Sequence, residues 1–179
     1  MAEFTLVINH DKCTGCGVCE MVCAMHSGHG FNPQKARIRV IALEGETALS
    51  YLPVTCMQCE KPPCEAICPT GAISSDPVTG AKVINKEKCI GCSGCVYACP
   101  FGAIVLDPSE KTPLVCDLCG GDPLCAQWCP QGAIEYIKSD SASIRLKRER
   151  ADKFIGNIDP QFIDAKKDPY VRLIDSLNK

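Results

Sequence analysis

Aromatic residues are scarce in this 179-residue chain: Phe, Tyr and Trp together make up 6% of it, with a single Trp. A domain of this length ordinarily fills its middle with bulky side chains, so a large conventional core is not expected and something else must occupy that space. Long apolar runs are missing as well. The first, Phe4 to Ile8, gives way to Asn9, His10, Asp11 and Lys12, too short for a signal-peptide core. Nowhere do the roughly 18 consecutive apolar residues of a membrane span occur, and no twin-arginine pair stands near the start. These absences predict a cytoplasmic protein with no direct membrane span. Charge of one sign is lacking too: 19 Lys and Arg against 21 Asp and Glu leave a formal net charge of -2. That balance gives no sign of a nucleic-acid binder or a polybasic anchor. No nucleophile-base pair or phosphate-cradling loop is evident, since Gly28-His29-Gly30 lacks the third glycine and the strand context of a dinucleotide motif. No catalytic residue is therefore expected.

Cysteine is what the chain has in quantity, 16 in all, in four groups of four with none left over. They are Cys13, Cys16, Cys19 and Cys23; Cys56, Cys59, Cys64 and Cys68; Cys89, Cys92, Cys95 and Cys99; and Cys116, Cys119, Cys125 and Cys129. Groups one and three read C-x2-C-x2-C-x3-C, group two C-x2-C-x4-C-x3-C, and group four C-x2-C-x5-C-x3-C. Three groups continue with one pattern, Cys-Pro-x-Gly-Ala-Ile, as Cys68-Pro-Thr-Gly-Ala-Ile73, Cys99-Pro-Phe-Gly-Ala-Ile104 and Cys129-Pro-Gln-Gly-Ala-Ile134, the mark of a repeated structural unit. Group one departs from it, with Ala24, Met25 and His26 after Cys23.

Soft thiolates at this spacing are the ligands that iron-sulfur clusters select, and three cysteines at i, i+3 and i+6 let one loop wrap three corners of a cubane. Gly15, Gly17, Gly91 and Gly94 permit positive φ and close approach of backbone N-H groups to sulfur. Proline after the last cysteine turns the chain outward. Short strands are expected at 72–74 and 81–85, joined by the turn at 76–80, and at 103–106 returning through Leu114 and Val115; short helices are expected inside each x3 step. Tyr97 and Trp128, inside such steps, are expected to pack near the clusters as apolar cover. His10, His26 and His29 are expected to be ordinary surface or loop residues. Zinc knuckles and a disulfide scaffold are the bland alternatives. Zinc has no use for the recurring third and fourth cysteine followed by Pro-x-Gly-Ala-Ile, and disulfides do not suit a reducing compartment.

The run C-x2-C-x2-C-x3-C-P-x-G-A-I resembles bacterial two-cluster ferredoxins. The order of four groups, covering about residues 1 to 137, resembles the electron-transfer subunits of complex oxidoreductases. Among these are the iron-sulfur subunits of formate dehydrogenase, dimethyl sulfoxide reductase, tungsten aldehyde oxidoreductase and benzoyl-CoA reductase, and those of hydrogenases and carbon monoxide dehydrogenase. The stretch Cys56-Met-Gln-Cys59-Glu-Lys-Pro-Pro-Cys64 is especially similar to theirs. In two-cluster ferredoxins the fourth cysteine of one group ligates the other group's cluster. Cys68 to Cys89 is 21 positions, short enough for a hairpin, whereas Cys23 to Cys56 is 33. Groups two and three are therefore expected to pair, and groups one and four by elimination, in agreement with what the resemblance implies.

The expected ligand sets of four [4Fe-4S] clusters are Cys13, Cys16, Cys19 with Cys129; Cys56, Cys59, Cys64 with Cys99; Cys89, Cys92, Cys95 with Cys68; and Cys116, Cys119, Cys125 with Cys23. The expected fold is α+β, two fused bacterial-ferredoxin-like modules, the inner one (51–108) inserted into the outer one (1–50 and 109–137). A cysteine-free extension (138–179) follows as a possible docking tail. The resemblance implies a non-catalytic subunit that relays single electrons between a larger catalytic redox subunit and a further donor or acceptor protein. A tungsten- or molybdenum-pterin enzyme of the aldehyde oxidoreductase or benzoyl-CoA reductase type, in anaerobic metabolism, is the expected partner. A hydrogenase or carbon monoxide dehydrogenase subunit, or a free polyferredoxin, is the alternative.

Overall fold

The computed structural model describes residues 4–44, 49–107 and 109–139; of the expected tail, residues 140–179 lie outside the described residues. Helix and strand are mixed, in short elements: β1 (Phe4–Ile8), α1 (Val18–His26), β2 (Ile38–Glu44), β3 (Leu49–Thr55), α2 (Pro63–Ala66), β4 (Ile73–Ser75), β5 (Lys82–Ile84), α3 (Gly94–Ala98), β6 (Val105–Leu106), β7 (Pro113–Leu114), α4 (Leu124–Gln127) and β8 (Ile134–Lys138). The strands form four two-stranded antiparallel sheets.

Each helix starts one residue before the third cysteine of its group, so Cys19, Cys64, Cys95 and Cys125 all sit in a first turn and all are buried. How each helix starts follows from the loop length. Where two residues separate the second and third cysteines, the helix follows a left-handed residue, Gly17 (φ 73°) or Ser93 (φ 60°). Where four or five do, it opens after a proline in extended conformation, Pro62 or Pro123. The extra residues make the turn that the left-handed residue makes in the tighter loops. Gly94 does not take the positive φ expected of it; Ser93 takes it one residue earlier, and Gly94 begins α3.

The β4–β5 pair, in register Ile73↔Ile84, and the β6–β7 pair lie where the turn residues put them. Two pairings were not anticipated. β1 pairs with β8, Ile8 opposite Ile134, bringing the first and last described strands together with Leu6 and Val7 buried. The longest hairpin, β2–β3, occupies the cysteine-free stretch between groups one and two, and Pro53 is tolerated there because each strand of a two-stranded sheet is an edge.

The interior is built around sulfur. One buried cluster joins Cys19, Cys23, Cys116 and Cys125 to Leu6, Ile38, Leu118 and Ile134; a second joins Cys64 and Cys95 to Ile73, Ile104 and Val115, and Cys56 packs against both. The middle of the molecule, short of aromatics, is thus lined by cysteine and small aliphatic residues.

Candidate metal centres

Four cavities lined by cysteine open within the described residues. The first is lined by Cys13, Cys16, Cys19 and Cys129. The second is lined by Cys23, Cys116, Cys119 and Cys125. Cys68, Cys89, Cys92 and Cys95 line the third, and Cys56, Cys59, Cys64 and Cys99 the fourth. Each therefore takes three cysteines from one group and the last cysteine of another. None of the sixteen is paired in a disulfide.

The loops share a backbone device. The residue two after each group's first cysteine has positive φ: Gly15 (70°), Gln58 (50°), Gly91 (68°) and Leu118 (56°). This left-handed residue bends the chain so that the next cysteine faces the same cavity. Glycine adopts it freely, whereas Gln58 and Leu118 carry a strain of order 1–3 kcal/mol that their surroundings must hold. Leu118 is held by complete burial. Gln58 is held by its amide, whose Nε2 donates to the Cys116 carbonyl at 2.7 Å and whose Oε1 accepts from the Lys82 N-H at 2.8 Å. The sequence reading missed both residues, since neither is a glycine; only their position in the repeat could have pointed to them.

The Cys-Pro-x-Gly-Ala repeat has a local explanation. Gly71, Gly102 and Gly132 adopt φ of 60°, 59° and 57°. The alanine that follows then points its N-H back at the cysteine: Ala72 to Cys68 Sγ at 3.2 Å, Ala103 to Cys99 Sγ at 3.4 Å, and Ala133 to Cys129 Sγ at 3.2 Å. Such donors offset negative charge on sulfur. Group one lacks the repeat, and there the Arg37 N-H reaches Cys23 Sγ at 3.2 Å.

Burial pushes the Cys19 thiol up to about 12, Cys116 to about 12 and Cys56 to about 11, and raises Cys125 as well. Secondary contributions come from neighbouring sulfurs, and some of these belong to other cavities. Cys19 acts on Cys125, Cys56 on Cys116, and Cys64 on Cys95. Packing strings the cavities together in the same order, that of Cys13, then Cys116, then Cys56, then Cys89: Cys19 shares a buried cluster with Cys23, Cys116 and Cys125, Cys64 shares another with Cys95, and Cys56 packs against both. The two exposed cysteines, Cys16 and Cys92, belong to the two end cavities.

Tyr97 and Trp128 do not cover these cavities; they are 88% and 62% exposed and line none of the four. In α3 the buried face is set by Cys95, and two residues on is about 200° around the helix, toward solvent. Trp128 follows the last residue of α4, past its packed turn. None of His10, His26 and His29 lines any of these four cavities.

The 4Fe-4S dicluster domain profile matches residues 47–139, and a 4Fe-4S binding domain profile matches residues 5–28. The chain belongs to the 4Fe-4S dicluster domain family. This iron-sulfur chain is 37% identical to the aliphatic sulfonate oxidoreductase polyferredoxin-like subunit of Pyrococcus furiosus, over 97% of its own length and 91% of the relative's. It is 30% identical to the thiosulfate reductase electron transfer subunit of Salmonella typhi, over 80% of both chains. It is also 32% identical to the beta subunit of the NADH-dependent phenylglyoxylate dehydrogenase of Aromatoleum evansii, over 76% of its own length but only 30% of that longer chain. Among solved structures, the active-site complex of benzoyl-coenzyme A reductase bound to benzoyl-CoA has a chain matching over 98% of both lengths, at 23% identity and a TM-score of 0.43. Electron-transfer iron-sulfur subunits of oxidoreductases are thus its relatives.

The residues of this dicluster chain fit the family's cofactor. Each cavity offers four soft sulfur donors, the ligand type that iron-sulfur clusters select. Among the described residues no three His, Cys, Asp or Glu side chains gather as the ligands of a single metal ion. Sulfurs spread around a cavity suit a polynuclear cluster better than a lone tetrahedral zinc. No helix among those residues is long and apolar enough to cross a membrane.

Proposed function

We propose that this chain is a cytoplasmic, non-catalytic electron-transfer subunit holding four [4Fe-4S] clusters. The ligand sets would be Cys13, Cys16, Cys19 and Cys129; Cys56, Cys59, Cys64 and Cys99; Cys68, Cys89, Cys92 and Cys95; and Cys23, Cys116, Cys119 and Cys125. One observation carries the reading: each cavity is ringed by three cysteines of one group and the last of its paired group. Groups two and three then form the inner module (51–108), inside an outer module of 1–50 and 109–137.

When bound, the clusters supply one-electron redox chemistry. The chain's own part is to bury and space them. The linear order of cavities, with an exposed cysteine at each end, supports entry at one end and exit at the other. Small side chains and aimed N-H groups around the sulfurs exclude water and offset charge. The partner we propose is a larger tungsten- or molybdenum-pterin oxidoreductase of the aldehyde oxidoreductase or benzoyl-CoA reductase type. The likeness of the Cys56–Cys64 stretch to such subunits, and relatives that serve oxidoreductases, support it.

Gentle anaerobic purification of the tagged chain from its own cells tests this. A copurifying pterin enzyme that reduces or oxidises the clusters with its substrate is the expected result. A nickel enzyme, or no partner with clusters that no oxidoreductase reduces, would overturn the partner assignment.

A further inference from the structure

Lys82 is a buried cation beside one cysteine cavity. Its residue is 4% exposed, and it lines the cavity of Cys56, Cys59, Cys64 and Cys99, where it is the lone Lys or Arg. On β5 it stands opposite Ser75, whose hydroxyl oxygen accepts from its Nζ. Its ion-pair partner, Glu65 Oε2, is 3.8 Å away on a side chain that is 41% exposed. The Lys82 backbone is fixed too, through its N-H on Gln58 Oε1 between Cys56 and Cys59.

The other cavities differ. That of Cys116 is lined by Arg37 and Asp117 together, and these two side chains bond directly and cancel. The two end cavities have no Lys, Arg, Asp or Glu in their lining. The Cys56 cavity alone of the four is thus lined by a buried cation whose ion-pair partner, Glu65, does not line it.

We propose that Lys82 is a positioning residue for reduction potential, raising that of the site at Cys56, Cys59, Cys64 and Cys99 above what its sulfurs alone would set. The inference rests on the reading that this cavity holds a cluster. Reduction there adds one electron from the donor protein, which later passes to the acceptor, and no bond forms or breaks. The added negative charge is stabilised by a fixed cation in a low-dielectric setting, so the reduced form is favoured. Electrons would then rest at this inner site rather than at either end.

The test is a potentiometric titration of the full-length, anaerobically purified holoprotein, followed by paramagnetic resonance, with iron counted per chain in each sample. Lys82→Met and Lys82→Gln, the second retaining a donor for Ser75, are expected to move one reduction step to lower potential and leave the others in place. Lys82→Arg is expected to leave that step where it is. Loaded Met or Gln variants with every step unmoved would overturn the role, as would an Arg variant that falls as far as they do. If Lys82→Met does not retain iron, Lys82→Gln decides. A wild-type protein with no iron-sulfur signal would overturn the underlying reading, a result distinct from an unmoved step in a loaded variant.

Discussion

The backbone N-H of Arg37 donates to Cys23 Sγ across fourteen residues, at 3.2 Å, where the other three groups use an alanine only four residues past the cysteine. The difference lies in the exit from the loop. α1 runs on past Cys23 to His26, so no Pro-x-Gly-Ala turn can fold back, and the donor comes instead from the segment leading into β2.

Replacing Arg37 with proline removes that donor, whereas Arg37→Ala keeps it; both lose the guanidinium and its contact to Asp117. A hydrogen bond to a charged group contributes about 1.5–3 kcal/mol. Iron release from the Arg37→Pro protein should be faster than from Arg37→Ala by on the order of tenfold or more, which anaerobic chelation kinetics would show. Equal rates would mean the Arg37 N-H has no part in holding the site.

Glycines in the loops separate two costs. A Cβ at Gly102 meets nothing within 4 Å, so Gly102→Ala pays only for its left-handed backbone, about 1–2 kcal/mol. A Cβ at Gly15 would overlap the Tyr51 ring as well. Thermal unfolding of the holoproteins should show Gly15→Ala falling clearly further than Gly102→Ala.

Gln58 ties group two to group four, through the Cys116 carbonyl, and to β5, through the Lys82 N-H. Gln58→Leu leaves both backbone groups without this partner, and loss of such a bond costs about 1–3 kcal/mol. The melting temperature should drop by several degrees, while Gln58→Glu, which retains the acceptor, should fall less.

Much of this arrangement was legible in the cysteine spacing. A helix opens at every third cysteine, and the Asp-Pro-x-x-Gly turn at 76–80 marks the β4–β5 hairpin. What escaped depends on contacts far apart in sequence or on residues that break a local preference. β1 finds β8 about 130 positions away, which no periodicity reveals. Leu118 adopts a left-handed backbone that leucine disfavours, because its buried side chain holds it there. Tyr97 misled for the opposite reason: an aromatic residue beside two cysteines suggests cover, yet a helix of five residues turns it to solvent.

The buried clusters of the chain include six cysteines whose sulfurs face the cavities. Without iron those cavities lack the contacts that fill them, so the apo chain should lose cooperative folding. Chelation under reducing conditions, followed by circular dichroism, should abolish the thermal transition. A sharp transition in iron-free protein would show that the sulfurs are structurally dispensable.

Four [4Fe-4S] clusters on sixteen cysteines are what the proposed function requires, and metal and sulfide analysis of anaerobically purified protein tests this most directly. About sixteen irons and sixteen acid-labile sulfides per chain are expected, from four cubanes of four irons each. Zinc in place of iron, or a reconstituted protein that saturates at about eight irons, would contradict it.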